Sequence, residues 1–435
     1  MAISAPPINY EDLIREDESG FWLDRRLYND PAIFEEEIDK LFTRGWVYVG
    51  HASEVPEPGD YRTRWLGRQP VIMSRDDEGE VHLILNRCRH QGAAVCQEDH
   101  GNSSYFRCGY HGWVYTNKGD LTGVPYPVGY DERFQQENFG LFHVPKVGNH
   151  RGFIFGCMDP NGPDFYDYLG RAKDYIDRYC DTSPTGEVEA RAGRQGVVVH
   201  ANWKGQLQNL TDDYHVHITH ATGLAKRNGP RRAFTWGERL TDMRDLGDGH
   251  TVLDRFANNR RIPREVINDE IVGSAGILDP KVIEANAERL GSREKAEYVA
   301  YGGPPHIMVF PNLMLLWDAF RVIHPIAHNL SHIFYYPLFL KGVSDEVNEK
   351  RLRQHENGFG PSGFINPDDG DMQTRQQIGS AVMEGTDRFM FLNRGLHEEK
   401  MVPDDFGVPA MTSPMMNETP ARGIWRHYKH VMSKP

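Results

Sequence analysis

Two cysteines and two histidines stand at a spacing that suits an iron–sulfur centre. Cys88 and His90 form a C-x-H pair, and Cys108 and His111 form a C-x-x-H pair after a gap of seventeen residues. Each short segment therefore offers one thiolate and one imidazole. Two cysteines on one iron and two histidines on the other are the ligand set of a Rieske [2Fe-2S] cluster. The pattern predicts a protein that accepts and passes on electrons.

A zinc site is the alternative for the same four residues, since two cysteines and two histidines also suit zinc. Zinc fingers, however, group both cysteines in one short spacing and both histidines in another. Because each segment here supplies one of each, the pattern favours the cluster. We expect the cluster ligands to be Cys88, His90, Cys108 and His111.

Turn residues predict that hairpins hold these ligands. Asp76–Gly79 separates the extended runs Val71–Met73 and Val81–Leu85, so a hairpin should precede the first pair of ligands. Trp113–Tyr115 and the turn Asn117–Gly119 follow the second pair in the same way.

Length and charge limit what the rest of the chain does. A cluster domain needs about a hundred residues, so a chain of 435 residues has room for at least one larger domain. The net charge of −13 argues against nucleic acid and anionic membranes as partners. No run of eighteen apolar residues occurs and no signal peptide is evident at the start, so we expect a soluble, cytoplasmic protein.

The remaining cysteines do not predict disulfides. Removing the two cluster ligands from five cysteines leaves Cys96, Cys157 and Cys180, an odd number. We expect them to be reduced and to pack as small apolar side chains.

Patterning along the chain gives the domain boundaries. A helix should begin at Pro31, after Asp30, and stop at Gly45. Short extended runs and glycine turns follow, and the Pro160–Pro163 cluster reads as a linker. Further on, the pattern predicts a helix along 168–179, strands within 307–324 and 329–340, and a helix over about 371–391. We place an N-terminal helical part at 1–45, the cluster domain at 46–157 and a larger domain at 158–435.

A second group of polar residues interrupts the apolar spacing of a predicted helix that begins near Asn202. It comprises Asp212, His215, His217 and His220. Two imidazoles and one carboxylate form the facial triad of non-haem Fe(II) oxygenases. Alternatively, the histidines satisfy hydrogen bonds in a core or cap the helix. His217 and His220 share a helix face, whereas His215 and His220 lie about 140° apart on an ideal helix, so spacing alone does not settle the ligand pair but slightly favours His217 with His220.

Two further segments are weak signals by themselves. Asp368-Asp369-Gly370-Asp371 reads as a solvated turn that leads into a helix N-terminus, where acidic residues are favourable. Gly358 to Gly363 spells G-x-G-x-x-G, but a proline at 361 and the lack of a preceding strand argue against a dinucleotide site.

The two cysteine–histidine motifs resemble C-x-H-R-G and C-x-x-H-G-W of the Rieske domains of aromatic-ring-hydroxylating oxygenases. Gln91 replaces the usual arginine, which alters the charge around the cluster without removing a ligand. That family also carries D-x-x-H-x4-H, matched here by Asp212, His215 and His220, and an F-G-P-x-G-F run followed by two aspartates, matched by Phe359–Asp369.

The resemblance implies roles for these residues. His215, His220 and Asp369 would bind a mononuclear Fe(II), with Asp368 as the substitute for Asp369 and His217 as a packing or pocket residue. Asp212 is similar to the aspartate that connects a cluster histidine of one chain, here His111, to an iron-binding histidine of the next, here His215. The residues at pocket-lining positions are Asn209, Leu210, Val216, Phe359 and Ile365.

Some details depart from the family pattern. Gln208 stands where many relatives have glutamate, and the interval from Asn209 to His215 is one residue shorter than in the naphthalene-dioxygenase type. The role of Asn209 therefore stays open. An arginine or lysine within Lys226–Arg232 could meet a substrate carboxylate, or these charges are simply solvated.

The resemblance also implies an α+β fold, in which a mostly-β Rieske domain is inserted near the N-terminus of a larger catalytic domain with an antiparallel sheet flanked by helices. We expect the alpha subunit of a terminal oxygenase that uses O2 and electrons from NADH, delivered by a separate reductase and in some systems a ferredoxin. It would dihydroxylate an aromatic ring or an aromatic carboxylate, as a head-to-tail α3 trimer or with a small beta subunit as α3β3. The alternatives are a Rieske monooxygenase, hydroxylating salicylate-like rings or demethylating, and a non-catalytic electron carrier.

Overall fold

The computed structural model describes residues 8–209, 211–223, 241–259, 262–269, 274–381 and 388–434. The predicted pocket residue Leu210 and the basic segment Lys226–Arg232 lie outside these ranges. The chain divides into two units. The small unit comprises Leu41–Phe165 and Glu189–Arg191, and the large unit comprises the described parts of Met1–Lys40, Tyr166–Val188 and Ala192–Pro435.

The strands are numbered in chain order. They are β1 (Ile14–Asp17), β2 (Gly20–Asp24), β3 (Val47–His51), β4 (Asp60–Leu66), β5 (Gln69–Arg75), β6 (Val81–Leu85), β7 (His100–Asn102), β8 (Tyr105–Arg107), β9 (Val114–Thr116), β10 (Leu121–Gly123), β11 (Lys146–His150), β12 (Phe153–Cys157), β13 (Val188–Glu189), β14 (Gln195–Val199), β15 (Asp242–Gly247), β16 (His250–Asp254), β17 (His306–Val309), β18 (Leu313–Leu316), β19 (Ala319–Ala327), β20 (Leu330–Pro337), β21 (Phe339–Leu340), β22 (Phe389–Phe391), β23 (Lys400–Pro403) and β24 (Pro409–Pro414).

The α-helices are numbered in the same way. They are α1 (Tyr10–Leu13), α2 (Arg26–Asn29), α3 (Pro31–Lys40), α4 (Phe165–Leu169), α5 (Ala172–Cys180), α6 (Trp203–Asn209), α7 (Val216–Thr219), α8 (Phe256–Asn259), α9 (Pro280–Leu290), α10 (Arg293–Gly302), α11 (Asp345–Gly358), α12 (Asn366–Ser380) and α13 (Thr419–Met432). Short 3-10 turns occur at Ala52–Glu54, Pro127–Gly129, Gln136–Phe139 and Leu396–Glu398.

The small unit consists mainly of antiparallel strands. Its sheets have the orders β6-β5-β4-β7, β10-β9-β8 and β11-β12-β3. The predicted β5–β6 hairpin is present, and Asp76 closes its turn by accepting the backbone N–H groups of Glu78 and Glu80 at 3.0 and 2.8 Å. The predicted β9–β10 hairpin is present as well. Each of these hairpins adjoins one cysteine–histidine segment, as the turn residues indicated.

The large unit is built on a nine-stranded antiparallel sheet of order β14-β20-β19-β18-β17-β16-β15-β24-β23. Every residue of β16, β17 and β18 is buried, so these central strands are covered on both faces. Helix α13 packs against β15 and β16, α5 against β17 and α6 against β19. The expected α+β fold, with a mostly-β domain inserted near the N-terminus of a larger unit, is confirmed.

The predicted long helix near Asn202 is wrong as a continuous element, because α6 ends at Asn209 and α7 begins only at Val216. Polar side chains between them bond to the local backbone. The Asp212 carboxylate accepts the N–H of Tyr214 at 2.6 Å, and the Thr211 hydroxyl donates to the carbonyl of Gln208 at 3.0 Å. Such bonds offer the backbone an alternative to helix, which ends α6.

Other predicted elements differ at their ends. The helix from Pro31 is present and ends at Lys40, within the large unit. The helix predicted over 371–391 begins earlier, at Asn366, where Pro367 occupies the first turn, and ends at Ser380. Residues 389–391 instead form β22, which pairs with β2. The helix predicted along 168–179 is interrupted at Gly170, whose φ of +45° is left-handed.

All five cysteines are buried and none forms a disulfide, in line with the packing role expected for Cys96, Cys157 and Cys180. Among the described helices, none combines the length and apolar composition needed to cross a bilayer.

Candidate metal centres

The two cysteine–histidine segments of the small unit fold into loops of the same design. In the first loop, the N–H of Cys88 donates to the carbonyl of Ala93 at 2.8 Å, and the N–H of Gly92 donates back to Cys88 at 3.0 Å. In the second, Cys108, Gly112 and Trp113 repeat these bonds at 2.8 and 3.0 Å. Gly92 and Gly112 have φ values of +80° and +73°, which glycine adopts most easily. The two loops therefore present their side chains as a matched pair.

The sulfurs of this pair are buried and the imidazoles face outward. Cys88 and Cys108 belong to one apolar cluster and are 4% and 2% exposed, whereas His90 is half-buried and His111 exposed. The Nδ1 atoms of His90 and His111 face each other at 3.2 Å. Two nitrogens bound at about 2.1 Å to one tetrahedral metal lie about 3.4 Å apart, so this spacing fits two ligands of one iron.

A tyrosine that the sequence did not single out contacts the first sulfur. The buried Tyr115 hydroxyl accepts the N–H of Arg89 at 3.1 Å and lies 3.2 Å from Sγ of Cys88. Since the hydroxyl oxygen already accepts a hydrogen bond from the N–H of Arg89, its O–H is free to donate one to the sulfur. The contact between Tyr115 and Cys88 could not be predicted from the sequence, because Tyr115 looks like an ordinary buried strand residue.

A second group of ligand atoms converges in the large unit, where a histidine before α7, one at its end and an aspartate in the first turn of α12 meet. Ligand atoms of His215, His220 and Asp369 all lie within 4.8 Å of one another. Oδ1 of Asp369 lies 3.4 Å from Nε2 of His215 and 3.0 Å from Nε2 of His220. Adjacent ligands of an octahedral metal with bonds of about 2.1 Å lie about 3.0 Å apart, so the two spacings around Asp369 fit neighbouring ligands of one metal.

The charges of this group favour a cation. Burial by itself raises the pKa of Asp369, but hydrogen bonds from His215 and His220 outweigh it and hold the pKa well below its usual range. Burial lowers the pKa of His215, yet hydrogen bonds to Asp212 and Asp369 raise it to about 9. In this arrangement a proton on His215 balances the carboxylates, and a metal ion would take over that role.

Neighbouring residues orient these three. Oδ2 of Asp212 lies 3.2 Å from Nδ1 of His215, which leaves Nε2 facing the other ligand atoms. The Asn209 amide reaches the same place, with Nδ2 at 3.1 Å from Oδ1 of Asp369 and 3.3 Å from Nε2 of His215. Gln208 points elsewhere, because its side chain accepts the Tyr28 hydroxyl.

Two alternative ligands are less suitable. Asp368 is 49% exposed, and its Oδ2 lies 3.6 Å from Nδ1 of His220, on the other side of that ring from the atoms that converge. His217 is not among the described residues whose ligand atoms converge with those of His215 and His220. The prediction of a solvated turn at Asp368-Asp369 fails for Asp369, which is 4% exposed.

Of the predicted pocket residues, Val216 lies on α7, Phe359 ends α11 and Ile365 precedes α12, while Asn209 lies among the ligand atoms. Phe359 packs edge-on against Trp317, with ring centroids 4.9 Å apart. The guanidinium of Arg321 lies 5.4 Å from the centre of the Phe359 ring. Arg321 was not predicted from the sequence, although a single arginine inside the apolar strand β19 is an unusual feature that could have indicated it.

Comparison with known protein families assigns both parts of the chain. A family model described as Rieske [2Fe-2S] domain matches residues 45–137. A second, described as ring hydroxylating alpha subunit (catalytic domain), matches residues 166–434.

Relatives and solved structures agree with these matches. The chain is 31% identical to the anthranilate 1,2-dioxygenase large subunit of Acinetobacter baylyi, over 88% of this chain and 82% of that one. It is 30% identical to the large oxygenase component of the naphthalene 1,2-dioxygenase system of Pseudomonas putida, over 98% of this chain and 95% of that one. A solved structure of naphthalene 1,2-dioxygenase with indole bound in the active site superposes with a TM-score of 0.83 at 28% identity, over 98% and 95% of the two chains.

Proposed function

We propose, from the premise that this chain belongs to the Rieske non-haem iron ring-hydroxylating oxygenases as a large (alpha) subunit, that it adds both atoms of dioxygen to an aromatic ring. It is an oxidoreductase of the dioxygenase type, and its cofactors are a Rieske [2Fe-2S] cluster and a mononuclear non-haem iron. The observation that carries the proposal is the convergence of His215, His220 and Asp369 in a chain that also holds the paired cysteine–histidine loops.

We assign the cluster to Cys88, His90, Cys108 and His111, and the mononuclear iron to His215, His220 and Asp369. The 3.2 Å spacing of the two Nδ1 atoms and the 3.0 and 3.4 Å spacings around Asp369 support this assignment. Three protein ligands on one face leave the opposite positions open. We propose that residues 46–157 form the Rieske domain, that 158–435 form the catalytic domain with the mononuclear iron, and that 1–45 form the N-terminal helical part of that catalytic domain.

When bound, the cluster supplies electrons one at a time and the iron supplies the activation of dioxygen. The protein's part is to hold the ligands and shape the site. The Asp212 carboxylate accepts a hydrogen bond from the Nδ1–H of His215, which fixes the tautomer whose Nε2 carries the lone pair. His220 and Asp369 are 2% and 4% exposed, so bulk water is largely excluded from their side of the site.

We propose a planar aromatic substrate, which Val216, Phe359 and Ile365 line together with Asn209 and Leu210. The family contains the anthranilate and naphthalene enzymes named above, so membership alone leaves an acid or a hydrocarbon open. Electrons would come from NADH through a separate reductase, with or without a ferredoxin. An α3β3 assembly, or an α3 trimer, in the cytoplasm completes the prediction.

Two other functions make different demands on the same residues. A Rieske monooxygenase would use the same three iron ligands, so only the products distinguish it. A non-catalytic electron carrier would have no use for the second set of ligand atoms, and their convergence argues against that function.

Isotope labelling tests the proposed reaction. The purified oxygenase is supplied with NADH, a reductase and ¹⁸O2, and benzoate, 2-naphthoate and naphthalene are screened by mass spectrometry. We expect a cis-diol that carries two ¹⁸O atoms. A product with one ¹⁸O atom would identify a monooxygenase, and reduction of the cluster without any oxygenated product would favour the carrier.

A further inference from the structure

A buried arginine beside the mononuclear iron site lacks a counter-ion. Arg321 lies in β19 and is 1% exposed. Its Nη2 donates to Oδ1 of Asn366, but Nε and Nη1 have no hydrogen-bond partner within the described part of the chain. No described carboxylate forms an ion pair with it. This contrasts with the equally buried Arg178, which pairs with Asp254 at 2.8 Å and with Asp405 at 3.4 Å.

The groups around Arg321 do not neutralise it. Asp369 is the carboxylate whose charge acts on the Arg321 pKa, and that carboxylate is assigned to the iron. Burial lowers the pKa of His306 and His355, and the Arg321 charge lowers both further, so both imidazoles are neutral. Nε2 of His306 and both ring nitrogens of His355 also lack partners among the described residues. The group formed by Arg321, His306 and His355 therefore carries one net positive charge and several nitrogens without a hydrogen-bond partner among the described residues.

The position of Arg321 ties it to the proposed substrate site. Asn366 accepts a hydrogen bond from Nη2 of Arg321 and lies three residues before Asp369 on α12. Because both side chains are buried, the two share one face of that helix. On the other side, the Arg321 guanidinium lies 5.4 Å from the Phe359 ring and 5.2 Å from the Tyr335 ring. The unused donors are thus bordered by aromatic side chains and lie about one helical turn from an iron ligand.

We propose that Arg321 binds the carboxylate of an aromatic acid substrate, whose ring lies against Phe359 between the arginine and the iron site. The proposal rests on the proposed function and goes further, because it names the substrate class and the residue that selects it. Arg321 is then a specificity-determining residue rather than a support for the sheet.

The energetics favour this role. A buried charge without a partner costs several kcal/mol, whereas the planar guanidinium can bind a carboxylate through two parallel hydrogen bonds. An anionic substrate would supply the missing counter-ion inside a site with little water. A hydrocarbon or a neutral amide of the same shape would leave the cation unpaired.

Binding measurements test the proposal separately from turnover. Anaerobic holoenzyme is titrated by equilibrium dialysis with benzoate and with 2-naphthoate, and each acid is compared with its amide. We expect at least one acid to bind about 30-fold more tightly than its amide, because truncating one partner of a buried charge pair costs this much or more. In Arg321→Met this preference should disappear, and Arg321→Lys should retain only part of it. Equal binding of acid and amide by the wild type, or an undiminished preference in Arg321→Met, would overturn the proposal.

Thermal unfolding without substrate distinguishes binding from support of the sheet. Arg321→Met should have a Tm equal to or above that of the wild type, because it removes an uncompensated buried charge. The matched control Arg178→Met should have a lower Tm, because it leaves Asp254 unpaired. If Arg321→Met lowered the Tm as much as Arg178→Met, Arg321 would be structural and the proposal would be wrong.

Failure of the proposed function gives a different result. An enzyme that prefers the acids through Arg321 but oxygenates no ring would retain this inference and lose the dioxygenase assignment. An enzyme that forms a diol from naphthalene, in wild type and Arg321→Met alike, and shows no acid preference would retain the dioxygenase assignment and lose this inference.

Discussion

At the scale of single residues, the two centres differ in how they are exposed to solvent. The two cysteine–histidine loops bury both sulfurs and turn the imidazoles of His90 and His111 outward, toward solvent. The iron site buries His220 and Asp369 and leaves His215 the most exposed of the three. Polar neighbours, Tyr115 at the first centre and Asp212 at the second, act on a ligand atom without binding metal.

Tyr115→Phe should lower the reduction potential of the cluster. The Tyr115 hydroxyl is positioned to donate to Sγ of Cys88, and hydrogen bonds to cluster sulfurs stabilise the reduced, more negative state. We expect a fall of up to about 60 mV, which corresponds to a tenfold change in a one-electron equilibrium. Redox titration followed by EPR measures it.

Tyr61→Phe is the matched control for that experiment. The Tyr61 hydroxyl forms a hydrogen bond with Cys96, which is a buried cysteine but not a predicted cluster ligand. Cys96 belongs to the same apolar core as Cys88, and Tyr61 packs against that core. Its potential should equal that of the wild type. An equal fall of the reduction potential in both variants would show that Tyr115 acts through packing. An unchanged potential in Tyr115→Phe would show that the hydrogen bond does not affect the cluster.

Asp369→Ala should lose the mononuclear iron, whereas its neighbour Asp368→Ala should keep it. The two carboxylates are adjacent in sequence, but only Asp369 directs an oxygen at both Nε2 atoms. We expect ring oxygenation to fall at least about 100-fold in Asp369→Ala, with an unchanged cluster spectrum. Iron analysis and product formation measure this. Retention of the third iron in Asp369→Ala and its loss in Asp368→Ala would reverse the assignment.

At the scale of elements, the break between α6 and α7 explains how His215 and His220 come close together. Five residues apart on a continuous helix they would diverge by about 140°, but His215 stands before α7 and His220 ends it, with ring centroids 5.2 Å apart. The family motif predicted this pair, while helical spacing favoured His217. Local spacing was misleading because Asp212 and Thr211 end the helix through their own hydrogen bonds.

Other features were accessible to sequence to different degrees. The cluster loops were predictable because their ligands, turn residues and glycines are contiguous. Arg321 was visible only as a single charge in an apolar strand. Its lack of a counter-ion could not be predicted, because that depends on which residues of β17, α11 and α12 are packed around β19. The strand at 389–391 was missed because its partner, β2, lies more than three hundred residues earlier in the chain.

A buried ion pair holds α6, and therefore the iron site, to the two ends of the chain. Nζ of Lys204 lies 2.5 Å from Glu37 of α3, and Glu37 also accepts the Trp203 indole N–H at 2.7 Å and the Tyr428 hydroxyl. Both charged side chains are at most 1% exposed. The pair thus connects α3, α6 and α13 in the interior of the large unit.

Lys204→Met should lower stability strongly, because it leaves Glu37 as an unpaired buried charge. We expect a loss of about 3–5 kcal/mol. At 2–4 °C per kcal/mol this is a fall in Tm of roughly 6 °C or more by calorimetry. The double variant Lys204→Met with Glu37→Gln should recover most of the loss, because glutamine removes the charge and keeps an acceptor for Trp203 and Tyr428. A double variant less stable than Lys204→Met would contradict this explanation.

At the scale of the whole molecule, one chain carries an electron-storing centre and an oxygen-activating centre. The Asp212 side chain contacts His215 and is 33% exposed, so we propose that it also binds a histidine of another chain. From the family resemblance, we propose His111 of a neighbouring chain in a trimer as that partner. Charge-assisted hydrogen bonds of this kind would connect the two centres between subunits.

Asp212→Ala should leave both metal centres filled and slow electron transfer between them about 10- to 100-fold. Rapid-mixing single-turnover experiments with the pre-reduced enzyme follow cluster oxidation in the presence of substrate and oxygen. Iron and sulfide content equal to the wild type is the control. An unchanged rate would exclude Asp212 from the path of the electrons.

We expect each chain to hold both a Rieske cluster and a separate mononuclear iron. Iron and acid-labile sulfide analysis of anaerobically purified protein, with EPR and visible spectra before and after dithionite, tests it most directly. We expect about three irons and two sulfides per chain with a reducible Rieske spectrum. Zinc without labile sulfide, or a cluster with no further iron after anaerobic reconstitution with Fe(II), would contradict it.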